Sequence, residues 1–251
     1  MPGLSIHRRD YEAGLKIDHH AHAETQVTLI LAGVVEEWVG NCRRTIEPLD
    51  IVVKPAGLVH ANRFGTNGAK TIQISFLDDN LGAVTPQSSP LNYVTTFNPA
   101  LTQRMLELMA YGNNRIDGKQ DILRNGLSAD FENPPGLRPK RRRPDWLDRM
   151  CESLDQSYSQ SLTVRDLAHR FQKHPVYVAR CFRAHFGMSV KQRIHELRVK
   201  RAAKLLAESK LTATRVSSEC GFADQSHLNR VFKTHTGLSP VQFRTLVSKK
   251  S

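Results

Sequence analysis

Cysteine is scarce in this chain. Four occur in 251 residues, at positions 42, 151, 181 and 220, and none forms a Cys-x-x-Cys pair. That spacing excludes a disulfide framework and a cysteine zinc site, and leaves thiols suited to a reducing compartment. Long apolar runs are also missing: no stretch of eighteen apolar residues exists, so no segment is expected to span a membrane. The first residues include His7, Arg8, Arg9 and Asp10 and no apolar core, so no secretory leader is expected and the protein is placed in the cytoplasm. Acid is short in one half only. Residues 145–251 carry 9 Asp+Glu against 19 Lys+Arg, and residues 138–144 carry five cations and no acid. Residues 1–137 reverse the balance, with 15 acids and 12 bases. The net charge of +12 is therefore a property of the C-terminal part. A solvated lysine-rich surface would not be so confined. A clustered excess is the footprint of a surface that binds a polyanion.

That basic part contains a repeat. Arg180/Arg230, Phe182/Phe232, Arg183/Lys233, His185/His235, Gly187/Gly237, Ser189/Ser239 and Gln192/Gln242 recur at a constant offset of fifty. Two copies of one supersecondary unit are implied. In each copy the glycine stands where a helix C-cap is wanted, and Ser-x-x-Gln supplies a capping box for the next helix. Asp224 offers an N-cap for a helix running to about His235, and His174-Pro175 opens its counterpart, with Pro at the first helical position. In the second copy Leu228, Val231 and Phe232 form an apolar stripe, leaving polar and cationic side chains to face outward. Helix, tight turn and outward polar helix are the parts of a DNA-reading unit.

The rest of the chain divides in two. Short β-rich runs are expected at 26–32, 34–39, 42–47, 50–54, 60–64 and 71–76, with Gly33 as a break and Pro55-Ala56-Gly57 as a turn; they suit a sandwich or small barrel. The first 25 residues show no clear period. Helices are expected near 99–111 and 119–131; Leu101, Met105, Leu108 and Met109 give the first an apolar face, to pack on the barrel or to dimerise. Residues 133–144, with four prolines, cannot form a regular element. They separate an N-terminal domain, 1–132, from a helical domain, 145–251. Within the latter a long helix over 190–208 separates the two repeat copies.

Two resemblances follow from these residues. RVKRAAKLL followed by GFADQSHLNRVFKTHTGLSPVQFR, over about residues 146–248, resembles the DNA-binding domain of the AraC/XylS family of transcription regulators. The resemblance implies two helix-turn-helix units whose reading helices enter successive major grooves of double-stranded promoter DNA. It places Val176, Tyr177, Ala179, Arg180 and Arg183 of the first helix, and Gln225, Ser226, His227, Asn229 and Arg230 of the second, toward DNA. Arg180 and Arg230 would pair with guanine or anchor on phosphate. Gln172 stands where the family's first turn has glycine, and Ser217 and Ser218 stand near its usual alanine.

In the N-terminal domain, His20 and His22 before a strand, then Pro55-Ala-Gly57-Leu-Val-His60, resemble the two short motifs of a cupin barrel. The fold class implied is thus a multi-domain α and β protein, a cupin-like β-barrel with trailing helices followed by an all-α domain. His20, His22, Glu24, Gln26 and His60 are the candidate effector-pocket residues. His20, His22 and His60 match metal-ligand positions, but no cofactor is expected. The implied function is a sequence-specific DNA-binding transcription regulator modulated by a small molecule, with activation and repression both open. Homodimerisation and contact with RNA polymerase are further expectations. The alternative is a cupin metalloenzyme, a dioxygenase or isomerase, fused to a DNA-binding domain.

Overall fold

The computed structural model describes residues 4–76, 98–111, 143–160 and 162–249. The helix expected at 119–131 and most of the proline-rich linker lie outside them. Six strands come first: β1 (Leu4–Tyr11), β2 (Lys16–His20), β3 (Thr25–Val39), β4 (Cys42–Ile46), β5 (Ile51–Lys54) and β6 (His60–Phe76). All pair antiparallel in one sheet. β3 and β6 are its long central pair; β5 and β4 line the free edge of β3, and β1 and β2 line that of β6. Among the described residues no pairing joins β1 or β2 to β4 or β5, so the expected barrel is an open sheet here.

Gly33 does not break a strand, as its residue type led one to expect. It lies inside β3, at a register shift between Gly33 and Val35 that follows another at Ile30/Ala32. A bulge bends a strand without ending it. Gly33 has φ +77°, and a Cβ there would meet the Gly68 carbonyl oxygen at 1.9 Å, so only glycine permits the close approach. β1 and β2 were hidden from periodicity because they are edge strands with few buried side chains.

Both faces of the sheet are covered. Ile30, Val35, Val39, Val52 and Phe64 form an inner cluster. Val27, Leu29, Leu31, Ile51, Val53, Ile72 and Ile74, half a pleat out of phase, join a larger core with the helices.

Helix α1 (Pro99–Tyr111) follows, then α2 (Asp145–Ser157), α3 (Val164–Arg170), α4 (Pro175–Phe186), α5 (Val190–Glu208), α6 (Ala213–Glu219), α7 (Gln225–Thr236) and α8 (Pro240–Ser248). Local chemistry sets these boundaries. Thr163 and Asp166 form a capping box at α3, and Ser189/Gln192 and Ser239/Gln242 do so at α5 and α8. Gly187 and Gly237 close α4 and α7 in the left-handed conformation. Gln172, after α3, is at φ +51°, so it takes the conformation that glycine would adopt more cheaply.

The helices form two cores. Leu147, Met150, Leu154, Leu167, Val178, Phe182, Val190 and Ile194 join α2, α3, α4 and the start of α5. Val199, Ala202, Leu206, Val216, Leu228, Phe232 and Phe243 join the rest of α5 to α6, α7 and α8, and this second core is continuous with the outer face of the sheet. Leu101 and Met105 of α1 are buried in it, so that face of α1 packs within the chain and is not left open for dimerisation.

Candidate nucleic-acid interface and the histidine cluster

The sequence dictates which faces of α4 and α7 can meet a partner. In α4 the buried Val178 and Phe182 point to the core, so helical geometry turns Val176, Arg180 and Arg183 to the opposite side. Val176, Tyr177, Ala179, Arg180 and Arg183 are all exposed. The Arg180 guanidinium lies 5.9 Å from the centre of the Tyr177 ring, which also tilts against Trp146 at 5.8 Å. In α7 Leu228, Val231 and Phe232 are buried and Ser226, Arg230 and Lys233 point away. Gln225 is exposed, and its Oε1 accepts from the Thr214 hydroxyl at 2.9 Å, leaving the amide NH2 free to donate outward.

His227 and Asn229 are half-buried. The His227 Nδ1 accepts the Ala223 N–H at 3.4 Å, and its ring meets Phe222 edge-on at 5.5 Å. His195 of α5 stands behind it, 5.9 Å from His227 and 6.3 Å from His235. Burial, then the neighbouring histidines, push the His195 imidazole down to about 4. His185 and His235 sit in the last turns of α4 and α7, and His235 Nδ1 donates to the Val231 carbonyl at 2.8 Å.

Turn geometry holds the helices. The Asp224 carboxylate accepts the His227 N–H at 2.7 Å, and the His174 ring accepts the Val176 N–H at 3.3 Å. A Cβ on Gly221 would meet the Ser159 carbonyl oxygen at 2.1 Å, so the turn before α7 is seated against the segment after α2. Arg198 of α5 reinforces that seat, donating to the carbonyls of Tyr158 and Gln160 at 2.8 and 2.9 Å.

A second cluster lies in the sheet. His20 and His60 are register partners, and the rings of His20, His22 and His60 stand 4.3–5.2 Å apart. One nitrogen from each falls within 4.8 Å of the others. His60 is fully buried, His20, His22 and Glu24 are half-buried, and Gln26 is buried. The His60 Nδ1–H donates to the Leu58 carbonyl at 3.0 Å, so its lone pair is on Nε2. Lys54 Nζ donates to that Nε2 at 3.3 Å. Burial and then the Lys54 charge hold the His60 imidazole down at about 4, and the same two causes lower His22.

Behind Lys54 lies Glu37, paired with it at 3.2 Å. Sequence reasoning missed Glu37 and Lys54. The signal was their phase: Glu37 falls in step with Val35 and Val39, and Lys54 with Val52, all inward positions. An ammonium on the lone pair that a metal would need means that the trio, as placed, does not fit a resident divalent cation. Neither Glu37 oxygen accepts a well-formed hydrogen bond, and Asn62 Oδ1 and Thr71 Oγ1 are also buried without one.

Residues 167–245 match a protein family described as a helix-turn-helix domain. The chain is 30% identical over 152 residues to the Msm operon regulatory protein of Streptococcus mutans, covering 57% of this chain and 55% of that protein. It is 31% identical over 108 residues to the HTH-type transcriptional activator RhaR of Salmonella dublin, covering 43% and 38%. The C-terminal part is an AraC-type domain. The chain thus spans about half the length, or less, of these curated relatives. Among solved structures, the C-terminal domain of AraT, a response regulator from Geobacillus stearothermophilus, is similar to the AraC-type domain at 27% identity. That match covers 41% of this chain and 87% of AraT's domain, with a TM-score of 0.40. Among the described residues no helix is long and apolar enough to cross a membrane.

Proposed function

We propose that the protein is a sequence-specific DNA-binding transcription regulator, acting in the cytoplasm as an activator. Its AraC-type domain would comprise two helix-turn-helix units, α3–α4 and α6–α7, held apart by α5. The observation that carries this reading is the equivalence of two exposed cationic faces on capped helices: Arg180 and Arg183 on α4, Arg230 and Lys233 on α7. Val176, Tyr177, Ala179, Arg180 and Arg183 would meet one major groove, and Gln225, Ser226, His227, Asn229 and Arg230 the next, about 34 Å along the duplex. Lys and Arg supply the salt-dependent attraction to phosphate, and the outward amide and guanidinium groups suit adenine and guanine edges. Footprinting with the full chain tests the reading: a protected site in preference to random DNA is expected, and equal affinity for both would sink it. At that site Arg230→Ala should weaken binding more than on random DNA, by about 1–3 kcal/mol. An equal loss on both would make Arg230 a phosphate contact.

The sheet would serve as the sensor. The pocket assigned to the effector would be built from His20, His22, Glu24, Gln26 and His60, and the unsatisfied oxygens of Glu37 and of its register partner Asn62 favour a bound polar small molecule. Such a ligand regulates only by binding two states with different affinity. The metalloenzyme alternative is disfavoured by Lys54, which holds the His60 lone pair. RNA polymerase is the further partner proposed, and a homodimer would have to use a surface other than the buried Leu101/Met105 face of α1.

A further inference from the structure

Copies of one unit that differ at equivalent positions read different things. At the fifty-residue offset Pro175 aligns with Gln225, Val176 with Ser226, and Ala179 with Asn229. Three positions that carry hydrogen-bonding side chains on α7 are therefore purely apolar on α4. They are not apolar for the sake of the core, which Val178 and Phe182 already serve. Val176 is 68% exposed and Tyr177 39%, and they are adjacent in the first turn of α4, the part of a reading helix that reaches base edges. Among the described residues nothing covers Val176, although leaving an aliphatic side chain in water forgoes the stabilisation that burial gives. The patch is flanked by Arg180 and Arg183, also exposed, which fit it to an anionic partner and not to an apolar protein surface.

The major groove offers one apolar group, the C5-methyl of thymine; all its other readable features are donors or acceptors. We infer that α4 reads its half-site through thymine methyl groups packed on Val176, Ala179 and the Tyr177 ring, with Arg180 and Arg183 holding the helix in register, whereas α7 reads by hydrogen bonds. The specificity of the two half-sites is thus of two chemical kinds. This rests on the proposal that α4 and α7 are the DNA-reading helices.

The test uses the full chain. Binding sites are selected from a random duplex pool, and the half whose sequence relaxes with Arg230→Ala is assigned to α7. Deoxyuridine then replaces thymidine in one half at a time, removing the methyl while leaving pairing intact. In the α4 half each contacted methyl removed should weaken binding about fourfold, the factor for one buried methylene-sized group. In the α7 half the same change should cost less than about twofold. Val176→Ser, at an exposed position, should remove about one methyl's worth of the thymidine preference in the α4 half, about fourfold, with the thermal midpoint unchanged. Selected sites in which deoxyuridine is tolerated in the α4 half, or costs the same in both halves, would overturn the inference and leave DNA reading intact. A pool that yields no common sequence would overturn both.

Discussion

At the scale of single residues, the most consequential is Lys54. Its ammonium bridges the Glu37 carboxylate and the His60 ring in the interior of the sheet. Lys54→Met would leave a buried carboxylate with no cation, which should cost about 3–5 kcal/mol in urea unfolding. Replacing both ends, with Glu37→Leu added, should recover most of that loss, because apolar isosteres leave nothing unpaired. Equal losses for the single and double variants would show that the pair is not coupled. His195 gives a pH dependence. Its folded value of about 4 lies below the ordinary 6.5, so between these limits the unfolded chain binds more protons. Its contribution to stability is present above pH 6.5 and lost as pH falls toward 4. For a half-buried ring screened by solvent, that loss is about 1 kcal/mol. His195→Gln should remove about that much of the pH dependence of the urea-unfolding free energy across the window, and an unchanged pH profile would refute the assignment.

At the scale of elements, helix caps were visible in the sequence because a cap is a local event. Ser189/Gln192, Ser239/Gln242, Asp224, Gly187 and Gly237 act within four residues of themselves, and the helices begin and end where these types require. Edge strands were not visible, since β1 and β2 owe their conformation to pairing with β6, some sixty and forty residues away. Among the residues of the sheet, the histidine trio was visible through a resemblance, whereas Glu37 and Lys54 depend on which face of the bent sheet is inward. The two C-capping glycines separate local from tertiary cost. At Gly187 a Cβ would meet nothing within 4 Å, while at Gly237 it would lie 2.7 Å from Gln103 Cγ and 3.1 Å from Glu107 Oε1, both of α1. Gly187→Ala should cost about 1–2 kcal/mol for the left-handed conformation alone. Gly237→Ala should cost measurably more in chemical denaturation, because α1 must shift off α7. Equal costs would mean that α1 yields freely.

At the scale of the molecule, the sheet is joined through ion pairs and hydrogen bonds of the described residues to the α5–α8 half of the AraC-type domain. Lys200 and Lys204 of α5 pair with Asp50 and Glu47 at 2.9 and 3.4 Å, and the Gly33 N–H donates to Glu208 at 3.3 Å. Arg8 of β1 donates to the carbonyls of Leu246 and Val247 at 2.7 and 3.1 Å and to that of Lys249, and Lys70 Nζ joins it on Val247 at 2.8 Å. Those carbonyls end α8, where the helix leaves acceptors unfilled and its dipole is negative, so two cations from the sheet act as its C-cap. Among the described residues the apolar core of α2, α3 and α4 is separate from that of the sheet, and α5 takes part in both. A change in the sheet therefore arrives first at α7 and α8. Arg8→Ala removes three charge-assisted hydrogen bonds at once and should destabilise by about 1.5–3 kcal/mol, the net range for one such bond, because solvent takes over most of the exposed carbonyls. Amide exchange tells where the loss falls. Protection should drop in the last turn of α8 and along β1, and stay unchanged in α4, whose core Arg8 does not touch. A uniform loss across both cores would instead mean that the domain opens as one unit, and that sheet and α8 are not coupled in preference to the rest.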